Sequence, residues 1–185
     1  MIFRSNMHTQ VSFPDFTLAS SKLELVKDFK YLGHMICDTP KDDMDIKRAT
    51  HNILSVGMSI FRRFYMCSIP VKKRLFTTFC SQIYTAHLWC NYSKSVYDKF
   101  ATSYNSVLRK LLRVPRYDSS TGKNYSASGL FATNYLGNVN MLIMKQVYGL
   151  RCRPLQYQNR LVVAVVSYWK TSKLFAHWGV LLRPP

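Results

Sequence analysis

Apolar positions change period near residue 40. Before it, Phe13–Leu18 and Lys22–Val26 read as two strands across the small-residue turn Ala19-Ser20-Ser21, with Leu23 and Leu25 alternating with charges in the half-buried manner. Phe29–Ile36 reads as a third strand, with Phe29, Tyr31 and Gly33 on one side and Lys30, Leu32 and His34 on the other. Gly33 in mid-strand marks a bulge or a close backbone approach. No helix intervenes, so the small sheet is expected to be antiparallel. Residues 1–12 show no period.

After residue 40 the period is helical. Thr39 reads as a cap, Pro40 as the entry, and Asp42, Asp43 and Asp45 as acids placed against the helix dipole. The stripe Ile46, Ala49, Ile53, Val56, Ile60 and Phe64 follows, with Lys47, Arg48, Arg62 and Arg63 largely off it and Gly57 as a mild flaw. A second helix opens at Ser68-Ile69-Pro70 and carries Val71, Leu75, Phe79 and Ile83. Residues 84–92 read as a buried crossing. A third helix spans about 96–114, with Val96, Phe100, Tyr104, Val107, Leu108, Leu111 and Leu112 inward and Pro115 as its stop. Residues 117–126 read as a polar loop. Shorter helices are expected over 127–134, 139–152, 159–169 and 172–182. The predicted fold class is α+β, mainly α: a small N-terminal antiparallel hairpin or sheet followed by a helical bundle. The pattern divides it at 1–38, 39–116 and 117–185.

Charge sharpens this picture. Residues 1–45 hold five Lys/Arg against seven Asp/Glu, whereas residues 46–185 hold twenty-one against two. So lopsided a helical part is suited to a polyanion, nucleic acid first and an anionic membrane surface second. Membrane association is disfavoured because no helix pairs a long apolar face with a uniformly basic one. The basic clusters are Arg62-Arg63, Lys72-Lys73-Arg74, Arg109-Lys110 with Arg113, and Arg116. Any one alone reads as a solvated face; four on successive segments, with almost no acids between, do not. Lys72, Lys73 and Arg74 have the wrong sign for the first turns of a helix, which points to a partner. Tyr65, Tyr92, Tyr97, Tyr104 and Tyr117 lie among the clusters, as core residues or as stacking platforms.

Site chemistry is sparse. Asp42-Asp43 sits at a hydrophilic helix start and reads as helix-end electrostatics, not as a metal-holding pair. His34/Cys37 and His87/Cys90 have zinc-like spacing, but the first pair falls on opposite faces of a strand and Leu88-Trp89 inside the second reads as core. Thr121-Gly122-Lys123 lacks the rest of a phosphate loop. No catalytic and no metal-ligating residue is assigned. No secretory leader is recognisable, and five cysteines without one suit an intracellular chain, in cytoplasm or nucleus.

Phe29-Lys30-Tyr31-Leu32-Gly33-His34 resembles the primer-grip run that follows the palm in reverse transcriptases of non-LTR (LINE-type) retrotransposons. Asp42–Arg48 is similar to the acidic start of that family's first thumb helix. Further likeness lies in 61–67, in Val71-Lys72 with Leu75-Phe76, and in 79–92, which includes Ile83-Tyr84-Thr85-Ala86-His87-Leu88-Trp89. Tyr104-Asn105-Ser106, Arg109–Leu112, Pro115-Arg116 and Ser126–Phe131 continue it, and Asn159-Arg160, Ser172 and His177-Trp178 are weaker matches. The likeness covers nearly the whole chain. Residues 117–125 are longer than the family's link. The resemblance implies Tyr31, Leu32 and Gly33 as primer grip and basic thumb helices that hold an RNA/DNA template–primer duplex. It places fingers and the aspartate-bearing palm before Met1, so magnesium and nucleotidyl transfer belong to that missing portion and this chain alone holds no cofactor. The expectation is a duplex-holding fragment of an RNA-directed DNA polymerase, inactive by itself. The alternative is a degenerate or repurposed helical protein-interaction module with no nucleic-acid role.

Overall fold

A computed structural model describes residues 14–39, 41–119, 122–155, 159–169 and 171–181. The protein is mainly helical, with small antiparallel hairpins at its N-terminal end and a helical bundle after them. Strands β1 (Thr17–Leu18) and β2 (Ser21–Lys22) pair through a turn in which Ala19 and Ser20 both have positive φ. Leu23 and Leu25 are exposed rather than half-buried, since a lone two-stranded hairpin offers no sheet face to cover them.

Phe29–Ile36 is not one strand. It is a hairpin, β3 (Asp28–Tyr31) and β4 (His34–Cys37), with Tyr31 opposite His34. Leu32 (φ 46) and Gly33 (φ 83) form its two-residue turn. Positive φ at both turn positions matches the right-handed twist of the flanking strands, so Gly33 reverses the chain instead of bulging it. The strands make separate pairs and no single sheet.

Helix α1 (Asp43–Arg63) buries Asp45, Ile46, Ala49, Ile53, Gly57 and Ile60. Its cap position is Asp42, not Thr39, and Phe64 is exposed beyond its end; Pro40 lies outside the described residues. Helix α3 (Lys94–Leu112) buries Phe100, Tyr104, Val107, Leu108, Leu111 and Leu112, the face its sequence shows. The two helices run parallel: Asp43 meets Ser93 at their starts, Gly57 meets Val107 midway, and Arg113 meets Tyr65 past their ends. A Cβ on Gly57 would stand 2.3 Å from Val107 Cγ1, so the glycine is what lets the helices approach.

Helix α2 (Ile69–Leu75) runs on through a π-helical turn, Phe76–Cys80, closed by Ser81 N donating to Phe76 O. Its inward residues are Lys72, Phe76 and Cys80, while Val71 and Phe79 are exposed. Of the predicted stripe, Ile83 is buried and Leu75 packs against the core, while at Val71 and Phe79 the buried positions are one residue further on. The rows are similarly apolar; the inner one includes Lys72, whose methylene stem packs while its head stays polar.

Residues 117–126 are not plain loop but hold a third short hairpin, β5 (Tyr117–Asp118) and β6 (Lys123–Asn124); Thr121 lies outside the described residues. Helices α4 (Ala127–Thr133), α5 (Val139–Leu155), α6 (Arg160–Trp169) and α7 (Lys173–Leu181) complete the chain. The core runs on past residue 116: Leu130, Phe131, Val139, Ile143, Val147 and Trp178 join the cluster built by α1 and α3. Tyr104 sits in it with Phe76 on one side and Phe131 stacked at 5.6 Å on another, its hydroxyl 2.9 Å from Ser81 Oγ. Trp178 Nε1 donates to the His87 carbonyl and ties α7 to the 86–92 segment.

Candidate nucleic-acid interface

Because α1 and α3 are parallel, their C-terminal turns lie together. The chain then turns back into α2, whose first residues share that end. The basic clusters of residues 62–74 and of residues 109–116 therefore meet at one pole. Arg62, Arg63, Arg74, Lys110, Arg113 and Arg116 are exposed there, and Lys73 is half-buried. Part of this charge has a local role, since cations in the last turns of α1 and α3 complement their dipoles.

Two members do not sit as free surface charges. Arg109 is 9% exposed, and its guanidinium donates to the carbonyls of Pro115 and Tyr125, closing the 116–125 hairpin onto α3. It is a structural arginine and leaves the interface. Lys72 is 6% exposed, with its Nζ 5.8 Å from the Tyr65 ring centroid. Lys110 Nζ lies 5.1 Å from the Phe61 centroid, and the Arg113 guanidinium covers Tyr65 at 4.0 Å while donating to its carbonyl. Of the interleaved tyrosines, Tyr65 and Tyr117 are exposed, Tyr92 and Tyr97 stack on each other, and Tyr104 is core.

The other pole holds the β3–β4 hairpin. Tyr31 is exposed and Leu32, 78% exposed, is its tip; Gly33 lies against the Tyr84 ring, to which an added Cβ would come within 3.7 Å. The hairpin is held by a carboxylate. Asp45 is fully buried and accepts from Thr85 Oγ1 (2.6 Å), Trp89 Nε1 (2.8 Å), Arg48 Nε (2.8 Å) and Met35 N (3.1 Å), with His34 Nδ1 at 3.1 Å. Burial pushes this carboxyl up, but bonds from His34, Thr85, Trp89 and the Met35 backbone outweigh it and hold it well below the usual range. Asp42 accepts from the backbone N–H groups of Cys90 and Asn91, and Asp43 from Ser93 N and Oγ. The acids read as helix-end electrostatics are also acceptors that pin a hairpin, a helix start and the 85–93 segment together. Only Asp43 and Asp45 lie in the first turn, and Asp42 makes no side-chain cap. Thr85, Trp89 and Arg48 escaped sequence reading because none forms a motif with Asp45.

Among the described residues no three His, Cys, Asp or Glu gather as a metal site, and no helix is long and apolar enough to cross a membrane. His34 of the zinc-spaced pairs is engaged with Asp45. The poles are separated by the length of α1, about 30 Å for 21 residues. No family model, curated protein or solved structure matches the chain.

Proposed function

We propose that the protein is the duplex-holding part of a retrotransposon-type reverse transcriptase. In this reading the β3–β4 tip is the primer grip and the basic pole is a thumb surface. The observation that carries it is the convergence of basic clusters from two stretches of sequence, residues 62–74 and 109–116, at one pole of a parallel helix pair. The two ends of α1, about 30 Å apart, are spaced at roughly one turn of duplex, ~34 Å in B-form. Arg62, Arg63, Lys73, Arg74, Lys110 and Arg116 would contact phosphates, which gives affinity without base sequence. Lys72 and Arg113 belong to the cleft beside them. Tyr31, Leu32 and Gly33 would meet the primer strand. Magnesium and nucleotidyl transfer are assigned to a separate palm and fingers, which are partners of this chain.

The test is binding of a fluorescently labelled RNA–DNA hybrid, with wild type compared with Arg62→Gln/Arg63→Gln/Arg74→Gln/Lys110→Gln. Loss of at least tenfold in affinity supports the reading. Equal affinity in the two proteins overturns it and favours the protein-interaction alternative.

A further inference from the structure

A cleft of about 310 Å³ opens between the end of α1, the start of α2 and the end of α3, lined among others by Tyr65, Ser68, Ile69, Lys72, Leu112 and Arg113. We infer that this cleft is a seat for one phosphate group, held by Lys72 and Arg113 over Tyr65. The source assigned to that phosphate, a nucleic-acid backbone, rests on the function proposed above.

The chemistry is one-sided. The lining contains no acid, and both cations lie within 6 Å of the Tyr65 ring centroid. Lys72 is a buried residue whose ammonium makes no hydrogen bond and no ion pair among the described residues. Its methylene stem is packed while its ammonium reaches the cleft beside the Tyr65 ring, so an anion seated there would meet a cation that no carboxylate neutralises. Arg113 takes the left-handed C-cap position (φ 56) that favours glycine. From there its guanidinium lies on Tyr65 and spends one donor on the Tyr65 carbonyl, leaving others for phosphate oxygens. Ser68 Oγ, which makes no cap bond, adds a hydroxyl. The volume falls at the small end of ligand sites, ~300–1,000 Å³. A phosphate with its sugar suits it better than a large cofactor. This seat differs from the exposed clusters because it takes one phosphate in a fixed place and so sets register.

The test is thermal unfolding in inorganic phosphate against chloride at matched ionic strength, for the full chain, Lys72→Met and Arg74→Gln. Lys72→Met keeps the buried stem, and Arg74→Gln neutralises a charge outside the lining. The expected result is a phosphate-specific rise in melting temperature in wild type and Arg74→Gln that is lost in Lys72→Met. Should Lys72→Met fail to fold, Arg113→Asn, which tolerates the left-handed backbone, carries the same expectation. No phosphate-specific rise in wild type, or an equal rise in the cleft variant, overturns the seat. A hybrid-duplex salt series then separates the two claims. If the phosphate effect is lost in the variant but its salt slope for duplex equals that of wild type, the seat stands and the nucleic-acid source falls. If the slope flattens by about 0.9, one phosphate contact, both stand.

Discussion

Gly57 and Val107 touch where α1 and α3 come closest, and the contact leaves no room for a methyl group: a Cβ at 57 would lie 2.3 Å from one Val107 methyl and 2.9 Å from the other. Alanine is the better helix former by about 1 kcal/mol. The clash outweighs this, because a β-branched valine has few other rotamers to adopt. Gly57→Ala is expected to destabilise by a net of about 1–3 kcal/mol, the usual cost of overpacking. Urea unfolding checks it, and adding Val107→Ala should recover part of the loss as a favourable coupling term.

Asp45 makes stability fall in acid. Its folded-state carboxyl titrates well below the usual range, whereas the unfolded chain titrates near the ordinary ~3.9. Above about pH 5 both states are ionised and the full contribution is present. Below it the unfolded chain takes up a proton that the folded chain refuses, so stability drops. Asp45→Asn should flatten that acid limb, though not completely, since Asp43 is shifted the same way: burial raises it, and hydrogen bonds from Ser93 more than offset that. Asp45→Ala is expected to cost about 3–5 kcal/mol at neutral pH, because it strands buried donors and Arg48. Chemical denaturation from pH 2.5 to 7 reads both effects.

Arg109 separates stability from binding. Arg109→Met should cost about 1–3 kcal/mol by leaving the Pro115 and Tyr125 carbonyls without their donor. Its duplex salt slope should match wild type. A slope flattened as much as by an exposed arginine would return Arg109 to the interface.

The chain alone is expected to extend no primer. An assay with hybrid template, deoxynucleotides and magnesium checks this, and magnesium-dependent extension by the pure chain would contradict it.

The helical half was legible because α1 and α3 each bury a single regular face, so 46/49/53/60 and 100/104/108/111 announce themselves. The first hairpin was readable from its small-residue turn at 19–21, whereas the reversal inside 28–37 was not. Leu32 at φ 46 is a poor turn residue by type, so Leu32-Gly33 gave weak warning of the hairpin. On α2 the stripe places Leu75 and Ile83 correctly but not Lys72, because a lysine argues for solvent although its stem can pack inward. Arg109 and Arg113 are indistinguishable as letters; burial among carbonyls and exposure over a ring separate them. Asp45 depends on Thr85 and Trp89, 40 and more residues away, and no local rule joins them.

The central claim is that the basic pole holds a duplex by its phosphates. The most direct measurement is hybrid-duplex affinity from about 50 to 300 mM salt for wild type and for Arg62→Gln/Arg63→Gln/Arg74→Gln/Lys110→Gln. Wild type should show log affinity falling linearly with log salt, and the variant should be flatter by up to about 3.6, at ~0.9 per phosphate contact. Weak, salt-insensitive binding that is the same in both proteins would contradict the account.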